Sequence, residues 1–247
     1  MKFGYLLCTK TSYMTNTKIG KIIRLSIFFF VILHPNSDID MKTEINPHET
    51  SRGEAFSMWM SSPQPMVTLV KTFDVSRLRK VSRKTGIKFT VLLCWCIVKA
   101  ASKIDEFFLL PQHDKLFRFD RLAVNVIVLN VKGGISLCDI PYSDNIRQFN
   151  KDYLEISGQV SKTCKSTSLE DYMIIGTSAL PQTELDCIVN QYSGRYNNPF
   201  LAWGRYRKGL FKTTLPISLQ FHHAQMDGSH ACHFLDNLQD EINRLMC

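Results

Sequence analysis

Late in the chain, apolar and weaker positions alternate: Leu215, Ile217, Leu219 and Phe221 against Pro216, Ser218 and Gln220. A period of two marks a strand with one face on a core. Carried onward, it sends His223 to the apolar face and His222 to the polar one. After Asp227-Gly228-Ser229 the period lengthens, and Ala231, Phe234, Leu235, Leu238, Ile242 and Leu245 recur at helical spacing. Asp227 or Ser229 can cap that helix. The same reading predicts strands over residues 63–73, 115–119, 122–130, 135–140, 173–178, 183–190 and 203–211. Helices are predicted from caps at Asp74 and Ser76 to Lys84, over 89–102, and over 143–156 with Ile146, Phe149, Tyr153 and Leu154 on one side. Residues 157–168, rich in Ser, Thr and Lys, read as a loop. The class is α/β: a two-layer sandwich of a largely antiparallel mixed sheet with helices packed on it.

Composition narrows this picture. A chain of 247 residues fills one sizeable domain, and 45% hydrophobic content with 16 Phe supports a substantial core. The net charge of +8 raises the question of nucleic acid, but no recognisable binding module accompanies it. The densest basic run, Arg77, Arg79, Lys80, Arg83 and Lys84, reads as a solvated helix face. Small polyanions would also suit a basic surface. The eight cysteines are scattered and contain no Cys-x-x-Cys pair. Cys94 and Cys96 lie in an apolar run and act as small hydrophobes, a usage that fits the reducing cytoplasm.

Residues 1–40 stand apart. Lys18, Lys21 and Arg24 precede the apolar run from Leu25 to Leu33, which is too short to span a bilayer. His34-Pro35-Asn36-Ser37-Asp38 offers no small-residue cleavage site. The expectation is an N-terminal extension over 1–40 that the functional protein does not need, followed by a single domain over 41–247. A weak membrane anchor is the competing reading.

The candidate chemistry sits at the strand end. A His placed in an apolar row can stay neutral and serve as a base, which singles out His223. A metal site from His222, His223, His230, His233 and Cys232 is disfavoured, because the strand sends its two His to opposite faces. The stretch from Phe221 to Ser229 resembles the His-His-x-x-x-Asp-Gly signature of chloramphenicol acetyltransferases and related coenzyme A acyltransferases. Four further blocks resemble the first of these, in the same order: Arg52-Gly53-Glu54-Ala55-Phe56, Ile104-Asp105-Glu106-Phe107, the segment from Pro141 to Phe149, and Ser178-Ala179-Leu180-Pro181.

The resemblance implies a single acetyltransferase domain over 41–247 that uses acetyl-coenzyme A as co-substrate and assembles as a trimer with sites at subunit interfaces. It gives His223 the role of general base and Ser178 that of oxyanion donor, with Asp227 and Arg52 as an ion pair that holds the His turn. Lys88, Arg205 and Tyr206 are the coenzyme A candidates, and Trp59 and Ala202 fall in the acceptor pocket. This sequence departs from the family at Gln182, Ala202, Trp59 and Ser229, which leaves the acceptor open between chloramphenicol and another small hydroxyl compound. Two alternatives remain: a non-catalytic or differently specific binder on the same fold, and a 2-oxoacid dehydrogenase-type acyltransferase core.

Overall fold

The computed structural model describes residues 42–192 and 194–246, so the expected extension over 1–40 lies outside the described residues. The chain runs β1 (Lys42–Ile45), α1 (Gly53–Met60), β2 (Met66–Asp74), α2 (Ser76–Thr85), α3 (Phe89–Ala101), β3 (Leu109–Gln112), β4 (Lys115–Phe119) and β5 (Leu122–Leu129). It continues through β6 (Ile135–Pro141), α4 (Ile146–Thr163), β7 (Met173–Ala179), β8 (Phe200–Trp203), β9 (Arg207–Lys208), β10 (Thr213–His222) and α5 (Gly228–Arg244). The main sheet has the order β2-β10-β8-β7-β5-β6, with β9 also on β10. Strand β7 is parallel to β5 and β8, and the other pairs are antiparallel. Helices pack on one face of this mixed sheet.

The alternation along β10 sets that packing. Leu215, Ile217, Leu219 and Phe221 are fully buried with Phe73, Leu201, Val124 and the apolar helix α3. The opposite face of β10 is covered as well: Ser218, Gln220 and His222 are buried. The segment from 183 to 192 lies over them, and this corrects the strand expected over 183–190. There the Ile188 N–H donates to Ser218 Oγ at 2.8 Å, and Gln220 Nε2 donates to the Asn190 carbonyl at 2.7 Å. Backbone groups bonded to side chains make no ladder, and β8 already occupies the place beside β10.

Two other boundaries differ from expectation. The strand expected over 203–211 is interrupted at Gly204, where an added Cβ would meet the Thr183 carbonyl at 2.6 Å. The Arg205 N–H donates to that same carbonyl, which pulls the chain off the ladder between β8 and β9. The loop expected over 157–168 is helical through Thr163: α4 buries Val160 two turns after Tyr153 and ends at Cys164, at φ 59°. Its polar side chains are satisfied locally, with Ser161 Oγ bonded to the Leu129 carbonyl and Thr163 Oγ1 to that of Gln159. Composition there described the exposed face of a helix.

A second small sheet, β1-β4-β3, is absent from the sequence reading, although β4 itself was expected. With α1 it forms a separate apolar cluster of Phe56, Leu109, Leu116 and Ala224. Ala224 belongs to the His turn, so this platform is what that turn rests on.

Candidate active site

The His turn begins where β10 stops. The His223 N–H donates to the Pro65 carbonyl, and the N–H groups of Gln225 and Met226 return to the His222 carbonyl. The His223 ring is half-buried and stacks on Trp59 of α1, with centroids 4.4 Å apart and planes within 4°. Its Nδ1 is buried without a hydrogen-bond partner.

Arg52 locks the turn from below. The guanidinium, 4% exposed, donates to the His223 carbonyl at 2.7 Å, to the Ala224 carbonyl at 3.5 Å and to Asp227 Oδ2 at 3.2 Å. Asp227 also caps α5, accepting the N–H groups of Ser229 and His230. Partial burial pulls its carboxyl upward, but the His230 N–H, the His230 ring, the Ser229 N–H and Arg52 outweigh this and hold it below the ordinary carboxylate range. The sequence reading gave no role to three neighbours. His230 bridges Asp227 and Glu106, and Gln225 donates to the carbonyls of Glu106 and Leu109. The spacing of Asp227 and His230 is that of a capping box, a signal the sequence carried.

The faces expected for the two His are not the ones they occupy: β10 ends at His222, which is the buried ring, and His223 lies half-buried in the turn beyond it, outside the alternation. His222 is buried against Tyr192, and its Nδ1 accepts the Ala224 N–H at 3.1 Å. Burial first, and His223 second, push the imidazole down to about 4 from its ordinary 6.5. Between those values the unfolded chain takes up a proton that the folded one refuses. Stability is therefore full above about pH 6.5 and falls as pH drops toward 4, by on the order of 3 kcal/mol from this residue. Urea unfolding from pH 7 to 4.5 should show a smaller loss in His222→Asn than in the parent. Equal losses would mean that the ring is not held neutral.

Two of the three coenzyme candidates, Arg205 and Tyr206, line one cavity, and the third, Lys88, is the chain neighbour of Phe89 in its wall. Lys88 immediately precedes α3, and the Phe89 ring meets Tyr206 at 5.1 Å. Phe89, Trp203, Gly204, Arg205, Tyr206 and Lys208 line a cavity of about 610 Å³, and Pro181 and Glu184 are also in its wall. Arg205 lies 3.6 Å from Glu184, a carboxylate that any anion entering here must displace. Ala202 and Ser178 are paired on adjacent strands, and Ser218 continues their row onto β10.

That row separates Ser178 from His223. Ser178 lies two strands away from β10 and level with Ser218, five residues short of His223. Strand spacing and rise put the two Cα atoms roughly 19 Å apart. Within one chain, then, His223 with Trp59 and Ser178 with Ala202 are separate halves. Among the described residues no cluster of His, Cys, Asp and Glu can hold a metal ion, and no helix is long and apolar enough to cross a membrane.

Comparison with known proteins agrees with this architecture. A solved chloramphenicol acetyltransferase superposes with a TM-score of 0.69 at 19% identity, covering 82% of this chain and all of that one. A truncated catalytic core of the 2-oxoacid dehydrogenase multienzyme complex from Thermoplasma acidophilum gives 0.61 at 11% identity, over 82% of this chain and 97% of that one. The fold is the one these two structures share. Residues 41–239 match the family model for chloramphenicol acetyltransferase, and the chain belongs to that family. It is 27% identical over 184 residues to chloramphenicol acetyltransferase 3 of Escherichia coli, covering 71% of this chain and 85% of that protein. Chloramphenicol acetyltransferase 2 of the same organism is 24% identical over 212 residues, 83% of this chain and 96% of that protein.

Proposed function

We propose that the protein is an O-acetyltransferase that moves an acetyl group from acetyl-coenzyme A to a hydroxyl of chloramphenicol or a similar small molecule. The observation that carries this reading is the His223 ring, clamped by Trp59 and by the Arg52 grip on its own carbonyl, with Nδ1 enclosed and unpartnered. Such a ring is held in one orientation and can take a proton through its other nitrogen. His223 removes the proton of the acceptor hydroxyl as that oxygen attacks, and returns it to the departing thiolate. Coenzyme A supplies the activated acyl group as a thioester. Ser178 Oγ donates to the thioester oxygen as negative charge develops there.

The cavity beside Arg205 and Tyr206 suits the coenzyme. Arg205 and Lys208 line it as exposed cations for phosphate, with the exposed Lys88 next to Phe89 in the chain, while Tyr206 and Phe89 offer aromatic faces for adenine. Trp59 and Ala202 border the acceptor.

Assembly as a trimer completes the site by bringing Ser178 of one subunit to His223 of another. The distance between them in a single chain supports this, as does an exposed apolar strip of Ile127, Leu129, Ile135 and Leu137 on the sheet face away from the helices. The thioester donor and the free cysteines support a cytoplasmic protein. A chain that starts at Met41 is expected to keep assembly and acetyl transfer, and loss of either would give residues 1–40 a working role.

Arg52 and Asp227 hold the turn and move no proton. Asp227→Asn leaves Arg52 buried without its counter-ion, at about 1–2 kcal/mol because Asp227 is itself 39% exposed. Rate and stability should fall together in urea melts and kinetics, and an unchanged pair of values would remove Asp227 from this role. The reading as a whole is tested by following thiol release from acetyl-coenzyme A with a panel of hydroxyl acceptors, beginning with chloramphenicol. Acceptor-dependent release supports it, and no release with any acceptor opposes it.

A further inference from the structure

Glu106 and His230 take no part in the proton transfer described above, yet they close a chain of contacts that ends on the His223 backbone. Glu106 lies in the single turn Asp105–Phe108 between α3 and β3. Its carboxylate is 13% exposed, with Oε1 3.1 Å from His230 Nε2. A hydrogen bond there requires a proton on Nε2, because the carboxylate can only accept. The other ring nitrogen, Nδ1, then meets Asp227 in either protonation state of the ring. Bare, it accepts the Asp227 N–H at 3.3 Å; protonated, it donates to Asp227 Oδ1 at 3.0 Å. Which ring nitrogen carries a proton is set by its contacts, so Glu106 fixes the proton on Nε2 and turns Nδ1 toward Asp227.

We propose that Glu106 and His230 are a positioning pair for the proton acceptor: the Glu106 carboxylate holds the His230 ring on Asp227, and Asp227, through Arg52, holds the carbonyl of His223. The inference rests on the reading of His223 as the base. A second tie runs in parallel, since Gln225 Nε2 donates to the carbonyls of Glu106 at 3.1 Å and Leu109 at 2.6 Å. The turn is thus fastened on two sides, by Arg52 at the start of α1 and by the Glu106 turn between α3 and β3. Nothing in this chain of contacts reaches the cavity at Arg205, so its loss should spare coenzyme binding.

The test uses the full chain in its native assembly. Glu106→Leu should lower kcat by about 10–100-fold, the usual consequence of a misplaced reacting group, with KM for both substrates within about twofold. Glu106→Gln, which keeps an acceptor oxygen, should recover kcat to within about threefold of the parent. His230→Gln retains a capping side chain at the third helical position but loses the reach to Glu106, so it should fold normally and still turn over slowly. In the parent, nitrogen NMR of labelled histidine should show His230 protonated at Nε2, and Glu106→Leu should lose that fixed form. Parent-like kcat in Glu106→Leu or His230→Gln, or an unprotonated Nε2 in the parent, would overturn the pair. His223→Ala measured alongside separates the two claims. If it still turns over, the base assignment fails, while the His230 resonance continues to judge the pair.

Discussion

His223→Ala should fold and assemble like the parent and lose acetyl transfer by about 10⁴-fold, the upper range for removal of a general base. The ring sits beyond the end of β10, half-open on Trp59, so its truncation opens no large hole in the core. His222→Ala should behave in the reverse sense. That ring is buried and accepts the Ala224 N–H, so its loss costs stability first and leaves appreciable turnover per folded subunit. The measurement is kcat normalised to folded protein for both variants. Comparable losses would detach the base from His223.

Ser178→Ala should reduce kcat by about 10²–10³, equivalent to about 2.7–4 kcal/mol of transition-state stabilisation, the usual cost of one oxyanion donor. Its melting temperature should stay within a degree or so of the parent, since a half-buried hydroxyl near the end of β7 contributes little to folding. A simple strand-end Ser would give the opposite pattern, with a small shift in stability and unchanged turnover. Thr177, one residue earlier, bonds the Asn125 carbonyl, and Thr177→Val should affect stability rather than rate.

Much of this arrangement could be read from residue order, because the β10 alternation and the α5 period are local patterns that tertiary packing did not override. The alternation failed at its end: carried past β10 it sent His223 rather than His222 to the apolar face, whereas His222 is the buried ring and His223 lies half-buried in the turn beyond the strand. What it could not show was the cover. Residues 183–192 bury the polar face of β10 through bonds to Ser218 and Gln220, so β-rich composition there came without a strand. The platform under the His turn was invisible for another reason. β1 is four residues long and partly exposed, and its one partner in the sheet, β4, lies far along the chain and pairs β3 on its other edge. Arg52 carries no local mark of its 4% exposure; only family resemblance tied it to Asp227. For His230 the capping-box spacing was legible, but its second partner, Glu106, is 124 positions away and needed the fold.

The central claim is that the base of one subunit works with the oxyanion donor of another. It is tested most directly by mixing two inactive proteins, His223→Ala and Ser178→Ala, under conditions that exchange subunits. A site shared between neighbours is rebuilt wherever an intact His223 faces an intact Ser178, so an equal mixture should recover about one quarter of parental acetyl transfer. A mixture that stays as inactive as its two components would contradict the account, because it would place both groups in the site of a single chain.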